Sequence, residues 1–170
     1  ALYVAGTANY YNFMDGINGI AAITGVIALG GMGLREFILS GATPWAIIGC
    51  ASAASCLGFL PFNLPRARVF MGDVGSILLG FLFAVLVLRL SASPGDFIFL
   101  SAFLFPFYAD ELSTVLLRLL DGQSLLEPHR RHLYQILANE RGVPHWKVTA
   151  GYAVLQLAVI AIAFNLQESW

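Results

Sequence analysis

The chain has 170 residues, of which 58% are hydrophobic and only 11% charged, with a mean hydropathy of +0.76 and a formal net charge of −1. This balance excludes an ordinary soluble domain of this length, which needs a far more polar surface.

The opening residues, Ala1-Leu2-Tyr3-Val4-Ala5, are already apolar, and the chain reaches Asn9 after only eight positions. That is about half a bilayer of helix at roughly 1.5 Å per residue. This end has no initiator Met, basic leader or small-residue cleavage site, so no signal peptide is expected. Residues 1–11 read as the truncated end of a spanning helix. Apolar runs follow at 17–34, 44–62, 75–90, 97–117 and 146–166. Each approaches or exceeds the roughly 17–25 residues a spanning helix needs, with 75–90 at the short end. There are 17 glycines, as suits close helix packing in lipid, and Ser76 with Gly80 gives a small-xxx-small spacing. The expected fold is all-α: a polytopic membrane helix bundle with five complete spans plus a truncated first span. It forms a single transmembrane domain over 1–170, the C-terminal portion of a longer protein.

If each run crosses once, the polar segments 12–18, 63–73 and 118–147 share one face. That face carries Arg66, Arg68, Arg118, Arg130, Arg131, Arg141 and Lys147, whereas the other holds only Arg35 and Arg89. The positive-inside rule assigns the first face to the cytoplasm. Cys50 and Cys56 lie within one predicted span, have no metal-ligand spacing, and read as small buried residues.

The same three segments hold nearly all the unusual polar chemistry. In the first, Asn9, Asn12 and Asp15 step by three, so a helical backbone would line them along one face. Gly16 and Gly19 would let a ligand approach the backbone closely. Asp15 could equally cap the next helix, but four carboxamide or carboxylate side chains in ten residues, Asn18 included, favour a binding role. The second segment, Arg66-Ala-Arg68-Val-Phe-Met-Gly-Asp73-Val-Gly-Ser76, puts one carboxylate at the mouth of a helix. Asp73 could be an N-cap, or it could hold a divalent cation against a diphosphate, with Arg66 and Arg68 adding positive charge. The third segment contains His129-Arg130-Arg131-His132. It is no zinc motif, and it reads either as a plain basic loop or as a set of phosphate-binding forks. Leu133, Ile136 and Leu137 follow at amphipathic spacing and predict a short helix along the membrane surface. Pro106 predicts a kink in the 97–117 helix, and Glu111 is expected to be structural, with the role of Asp110 open.

Asn9-xx-Asn12-xx-Asp15-Gly16-xx-Gly19, then Phe70-Met-Gly-Asp73-Val-Gly-Ser76, then the His/Arg-rich loop, resemble the polyprenyl-phosphate N-acetylhexosamine-1-phosphate transferases, bacterial glycosyltransferase family 4. The match runs in order from about Asn9 to Gln135, and its second motif is a specific signature. The resemblance implies a phosphotransferase of the bacterial inner membrane, with its active site on the cytoplasmic face. It would move a sugar 1-phosphate from a UDP-N-acetylhexosamine to undecaprenyl phosphate and release UMP. It further implies that Asp73, as catalytic residue, and Asn12 hold Mg²⁺, with Mn²⁺ as the alternative ion. Asn9, Asp15, Asn18, Arg68, His129, Arg130, Arg131 and His132 would contact the nucleotide sugar. The partners implied are these two substrates and the bilayer, with a homodimer allowed and no nucleic acid.

Two departures matter. The family's Asp-Asp pair is absent, which fits a missing upstream portion and an inactive fragment. Where many members carry His-x-His-His, this chain has His132-Leu133-Tyr134-Gln135. That form resembles the branch that starts O-antigen glycans, whose sugars include 6-deoxyhexosamines, more than the phospho-N-acetylmuramoyl-pentapeptide transferases. A transporter or scaffold subunit is the rival class, but a transporter would place charge near the bilayer midplane rather than at one face.

Overall fold

The computed structural model describes residues 1–123 and 131–167, and among these every regular element is a helix. In chain order they are α1 (Leu2–Phe13), α2 (Ile20–Ser40), α3 (Pro44–Asn63), α4 (Gly72–Leu90), α5 (Pro94–Ser101), α6 (Phe105–Leu120), α7 (Leu133–Gln135) and α8 (His145–Gln167). A 3-10 turn, Ala102–Leu104, joins α5 to α6, and a π-helical turn, Ile136–Glu140, extends α7. Helices α2, α3, α4, the α5–α6 pair (Pro94–Leu120) and α8 are each long and apolar enough to cross a membrane. This is the predicted set of five, with ends that differ from the apolar stretches by up to six residues.

Local chemistry explains the helix ends. Thr43 and Ser93 cap α3 and α5 by accepting the amides of Ala46 and Asp96, and each is followed by proline in the first turn. Where a kink is predicted the α-helix is interrupted: Pro106 lies in the first turn of α6, and the 3-10 turn falls just before it. Proline has no N–H to donate and its ring crowds the carbonyl four residues back, here Ala102.

Close packing depends on glycine at two crossings. A Cβ on Gly80 of α4 would lie 2.7 Å from Tyr11 Cβ and 2.8 Å from Ala8 Cα, so α1 and α4 meet almost backbone to backbone. This is the contact the Ser76/Gly80 spacing predicts. Gly33 and Gly49 do the same for α2 and α3, where an added Cβ on Gly33 would sit 2.6 Å from the Cys50 amide nitrogen. The core between these helices is built from Tyr11, Met14, Leu29, Met32, Phe83, Phe103 and Phe107, all fully buried. Outward-facing Ile38, Leu78, Val154 and Ile162 are exposed, as lipid-facing residues would be. Cys56 is buried as expected, but Cys50 is exposed on this outer surface.

The topology gathers the loops by face. Asn12 meets Asp73, Asn18 meets Pro65, and α7 packs under the end of α1. At the other end of the bundle Gln167 donates to Asp96, Arg35 covers Phe99 and Arg89 covers Trp45. The described parts of the three polar segments therefore share one end, as one crossing per apolar run predicts. Arg118, one of the basic residues assigned to that face, has its side chain buried in the last turn of α6.

Candidate active site

The site begins where α1 stops. Asn12 is in the last turn of α1, and its Nδ2 donates to Asp73 Oδ1 at 3.1 Å and to Ser76 Oγ at 2.8 Å. Asp73 is in the first turn of α4, whose cap position is Met71, and its side chain makes no capping bond. The capping reading of Asp73 therefore fails, and the carboxylate is exposed beside a carboxamide. Gly72, at φ +69°, makes the turn that brings Asp73 to this position.

Asp15 departs from the expected helical row. The helix ends at Phe13, so Asn9 and Asn12 lie on α1 while Asp15 lies in the turn after it, its amide donating to the Asn12 carbonyl. Nor does it cap α2, whose cap position is Gly19. Its carboxyl is half-buried, and burial, followed by the negative charge of Asp73, pushes its pKa up to about 7. Asp73 thus acts on Asp15 through its charge and on Asn12 through a hydrogen bond.

Gly16 and Gly19 also correct their expectation. A Cβ on Gly16 would lie 2.2 Å from the Tyr134 hydroxyl, and one on Gly19, at φ +83°, would lie 2.6 Å from Leu64 Cγ. The chain's own side chains, rather than a ligand, fill the space these glycines open.

Asn18 serves as a junction. Its Nδ2 donates to the Pro65 carbonyl at 3.2 Å, its amide faces His145 Nδ1 at 3.4 Å, and its carbonyl accepts from Thr149 at 2.9 Å. Asn63 secures the same corner, accepting from the Gly19 amide at 2.5 Å and donating to the Val69 carbonyl at 2.9 Å. Arg66, Arg68 and Asn9 are exposed near this end.

Within the third segment, His129 and Arg130 lie outside the described residues. Arg131 is exposed and its Nη1 pairs with Asp121 at 2.5 Å, directed at the end of α6 rather than at Asp73. His132 is buried, stacked on Tyr134 at 5.8 Å, with Nε2 3.5 Å from Glu111. Glu111, which the sequence reads as structural, is itself buried in α6. The short helix predicted here takes the form of α7 and its π-helical extension, with Tyr134 buried and Leu133 exposed. Asn63 and His145 are polar site neighbours that the sequence did not single out, and Ser76, read there as a packing residue, also faces the site. Ser76 stands one helical turn after Asp73, and His145 opens the last helix beside Pro144.

These residues fit a divalent cation that also binds phosphate. Among the described residues no group of three or more His, Cys, Asp or Glu is placed to enclose a metal. What is present is one exposed carboxylate beside a carboxamide, and turning that carboxamide over would present oxygen next to Asp73. Ser76 Oγ can donate as well as accept, so it supports either orientation. One or two protein oxygens completed by phosphate is the habit of Mg²⁺, in contrast to an all-protein cage.

The family model described as glycosyl transferase family 4 matches residues 1–91, which include both the Asn12 turn and Asp73. A phospho-N-acetylmuramoyl-pentapeptide-transferase of Chlamydia muridarum is 33% identical over 168 residues, covering 95% of this chain and 48% of the relative. Decaprenyl-phosphate N-acetylglucosaminephosphotransferases of Mycobacterium tuberculosis and Mycobacterium leprae are 31% and 32% identical, covering 95% and 76% of this chain and 44% and 38% of their own. The chain spans about half the length, or less, of these curated relatives. Its multi-pass helical architecture and its match over more than half its length place this chain in glycosyl transferase family 4.

Proposed function

We propose that the protein containing this chain transfers a hexosamine 1-phosphate from a UDP-N-acetylhexosamine to undecaprenyl phosphate, at the cytoplasmic face of a bacterial inner membrane. The observation that carries the reading is the contact of Asn12 with Asp73, which joins two distant motifs into one oxygen-rich corner beside Asp15. The names of the relatives, a polyprenyl-phosphate and two kinds of amino-sugar phosphate donor, support the same reaction class. A terminal oxygen of the lipid phosphate attacks the β-phosphorus of the donor. The bond from that phosphorus to the bridging oxygen breaks, and UMP leaves with the bonding electrons.

Asp73 and Asn12 would hold a divalent cation, Mg²⁺ or Mn²⁺. Bound there, it would neutralise charge on the diphosphate. Phosphoryl transfer asks little covalent chemistry of a protein and depends on positioning and electrostatics. Asp73 would fix the diphosphate end of the donor, and Asp15 and Asn18 would border the nucleotide side. The exposed Arg68 and Arg131, together with His129 and Arg130, would supply cationic contacts to phosphate and sugar. For Arg131 this requires release from Asp121, an exposed pair of low strength. His132 would act from its buried position against Glu111. The transferase would work as a single transmembrane domain.

A donor panel tests the reading. Membranes carrying the full-length protein should release UMP from at least one UDP-N-acetylhexosamine, 6-deoxy forms included, only when undecaprenyl phosphate and the divalent ion are both supplied. The pentapeptide-bearing muramoyl donor belongs in the panel, because the Chlamydia muridarum relative supports that second reading. Release from that donor alone would select it, and no release from any donor would refute the proposal.

A further inference from the structure

Asp110 lies in α6, buried, and binds two other elements at once. Its Oδ1 accepts the Leu133 amide at 2.8 Å, while Oδ2 accepts the Tyr134 amide at 3.3 Å and the Tyr152 hydroxyl at 2.5 Å. These donors come from α7 and α8. Tyr134 continues the chain of contacts, for its hydroxyl donates to the Phe13 carbonyl at 2.8 Å and its ring occupies the space over Gly16. The Phe13 carbonyl belongs to the last turn of α1, where carbonyls have no partner within the helix. Asn12, the neighbour of Phe13, carries the carboxamide that meets Asp73.

We propose that Asp110 is a positioning residue which, through Tyr134, locks the Arg131–His132 segment to the Asn12–Asp15 turn. The proposal rests on the phosphoryl-transfer reading for its catalytic consequence, though the mechanical link stands by itself. A buried carboxylate is costly, and an apolar side chain of similar volume would often stabilise the fold as well or better. What the carboxylate adds is acceptance of three donors from two elements with a fixed geometry. The two loops it joins are those that must hold the donor's phosphates and the Asp73 corner in one arrangement. A displacement of about 1 Å at such a site costs on the order of a hundredfold in rate.

The test uses the full-length protein with two substitutions, Asp110→Asn and Tyr134→Phe. Asn places an NH₂ group against donors on one side, and Phe removes only the hydroxyl that reaches Phe13. Both variants should lower kcat by about ten- to a hundredfold, with the nucleotide-sugar KM within about threefold of wild type. Backbone hydrogen exchange across 12–16 should be about fivefold faster in both, the effect of one lost hydrogen bond. A merely structural role would lower the active fraction without accelerating exchange in the 12–16 turn of a folded protein. If Asp110→Asn does not fold, Tyr134→Phe decides alone, since it deletes a single oxygen. Wild-type kcat with unchanged exchange at 12–16 in Tyr134→Phe would overturn the proposal. Should the wild type release no UMP from any donor, the functional reading fails, while faster exchange at 12–16 still upholds the link and unchanged exchange still overturns it.

Discussion

Asn12 donates to the carboxylate of Asp73 across 3.1 Å, although 61 positions separate them in the chain. The contact exists because α1 and α4 pack along Gly80, which brings the last turn of one helix beside the first turn of the other. Ser76, facing the same carboxamide, completes the corner. Helix packing and site assembly are therefore one event here.

The packing can be tested at Gly80. Its added Cβ would meet backbone atoms of α1, the Ala8 Cα at 2.8 Å and the Thr7 carbonyl oxygen at 3.0 Å, which cannot swing aside. Gly80→Ala should cost about 1–3 kcal/mol, seen as a lower thermal midpoint in detergent. Gly58→Ala is the control, because nothing lies within 4 Å of its Cβ position. Equal midpoints for the two variants would contradict the packing described.

Asp15 gives a pH-dependent signature. Its carboxyl titrates near 7 in the folded protein, well above the usual carboxylate value of 3.8, chiefly because of burial and then because of Asp73. The folded state thus binds a proton that the unfolded state has released between those two values. Stability tied to this group is fully present below about pH 4 and is lost as pH rises through 7. Asp15→Asn removes the dependence. Measured without divalent ions, its thermal midpoint relative to wild type should rise between pH 5 and pH 8. A difference flat across that range would show that Asp15 is not perturbed.

Gln156 reports on the break before Pro106. Its Nε2 donates to the Phe103 carbonyl at 2.7 Å and to the Thr24 carbonyl at 3.3 Å, both in the buried core. The Phe103 carbonyl lies in the 3-10 turn, where the regular ladder is interrupted. Gln156→Leu should cost about 1–3 kcal/mol by leaving that carbonyl without its donor. A thermal midpoint equal to wild type would mean the carbonyl finds another partner.

The five spans were legible because each needs only a long apolar run, and lipid imposes that requirement residue by residue. The interruption before α6 was legible because Pro106 acts through its own covalent structure. Asn12 and Asp73 could be placed at one end of the bundle from topology and charge. Positions fixed by distant partners were not legible in this way. Asn9, Asn12 and Asp15 step by three whatever the backbone does, and spacing alone could not show that the helix stops at Phe13. Gly16 and Gly19 announce a close approach without naming what approaches, and Tyr134 and Leu64 take the space. His132 looks like a surface cation in sequence, and it is buried because Asp110 and Glu111 of α6 await it.

The central claim is that Asp73, with Asn12, holds the donor's diphosphate through a divalent ion, and turnover of Asp73→Asn in the full-length protein tests it most directly. Asp73 is exposed and caps nothing, so the variant should fold normally and keep its thermal midpoint. UMP release should fall by about two to three orders of magnitude, equivalent to roughly 3–4 kcal/mol of transition-state stabilisation. Release within a few-fold of wild type at saturating divalent ion would remove Asp73 from the reaction and contradict the account.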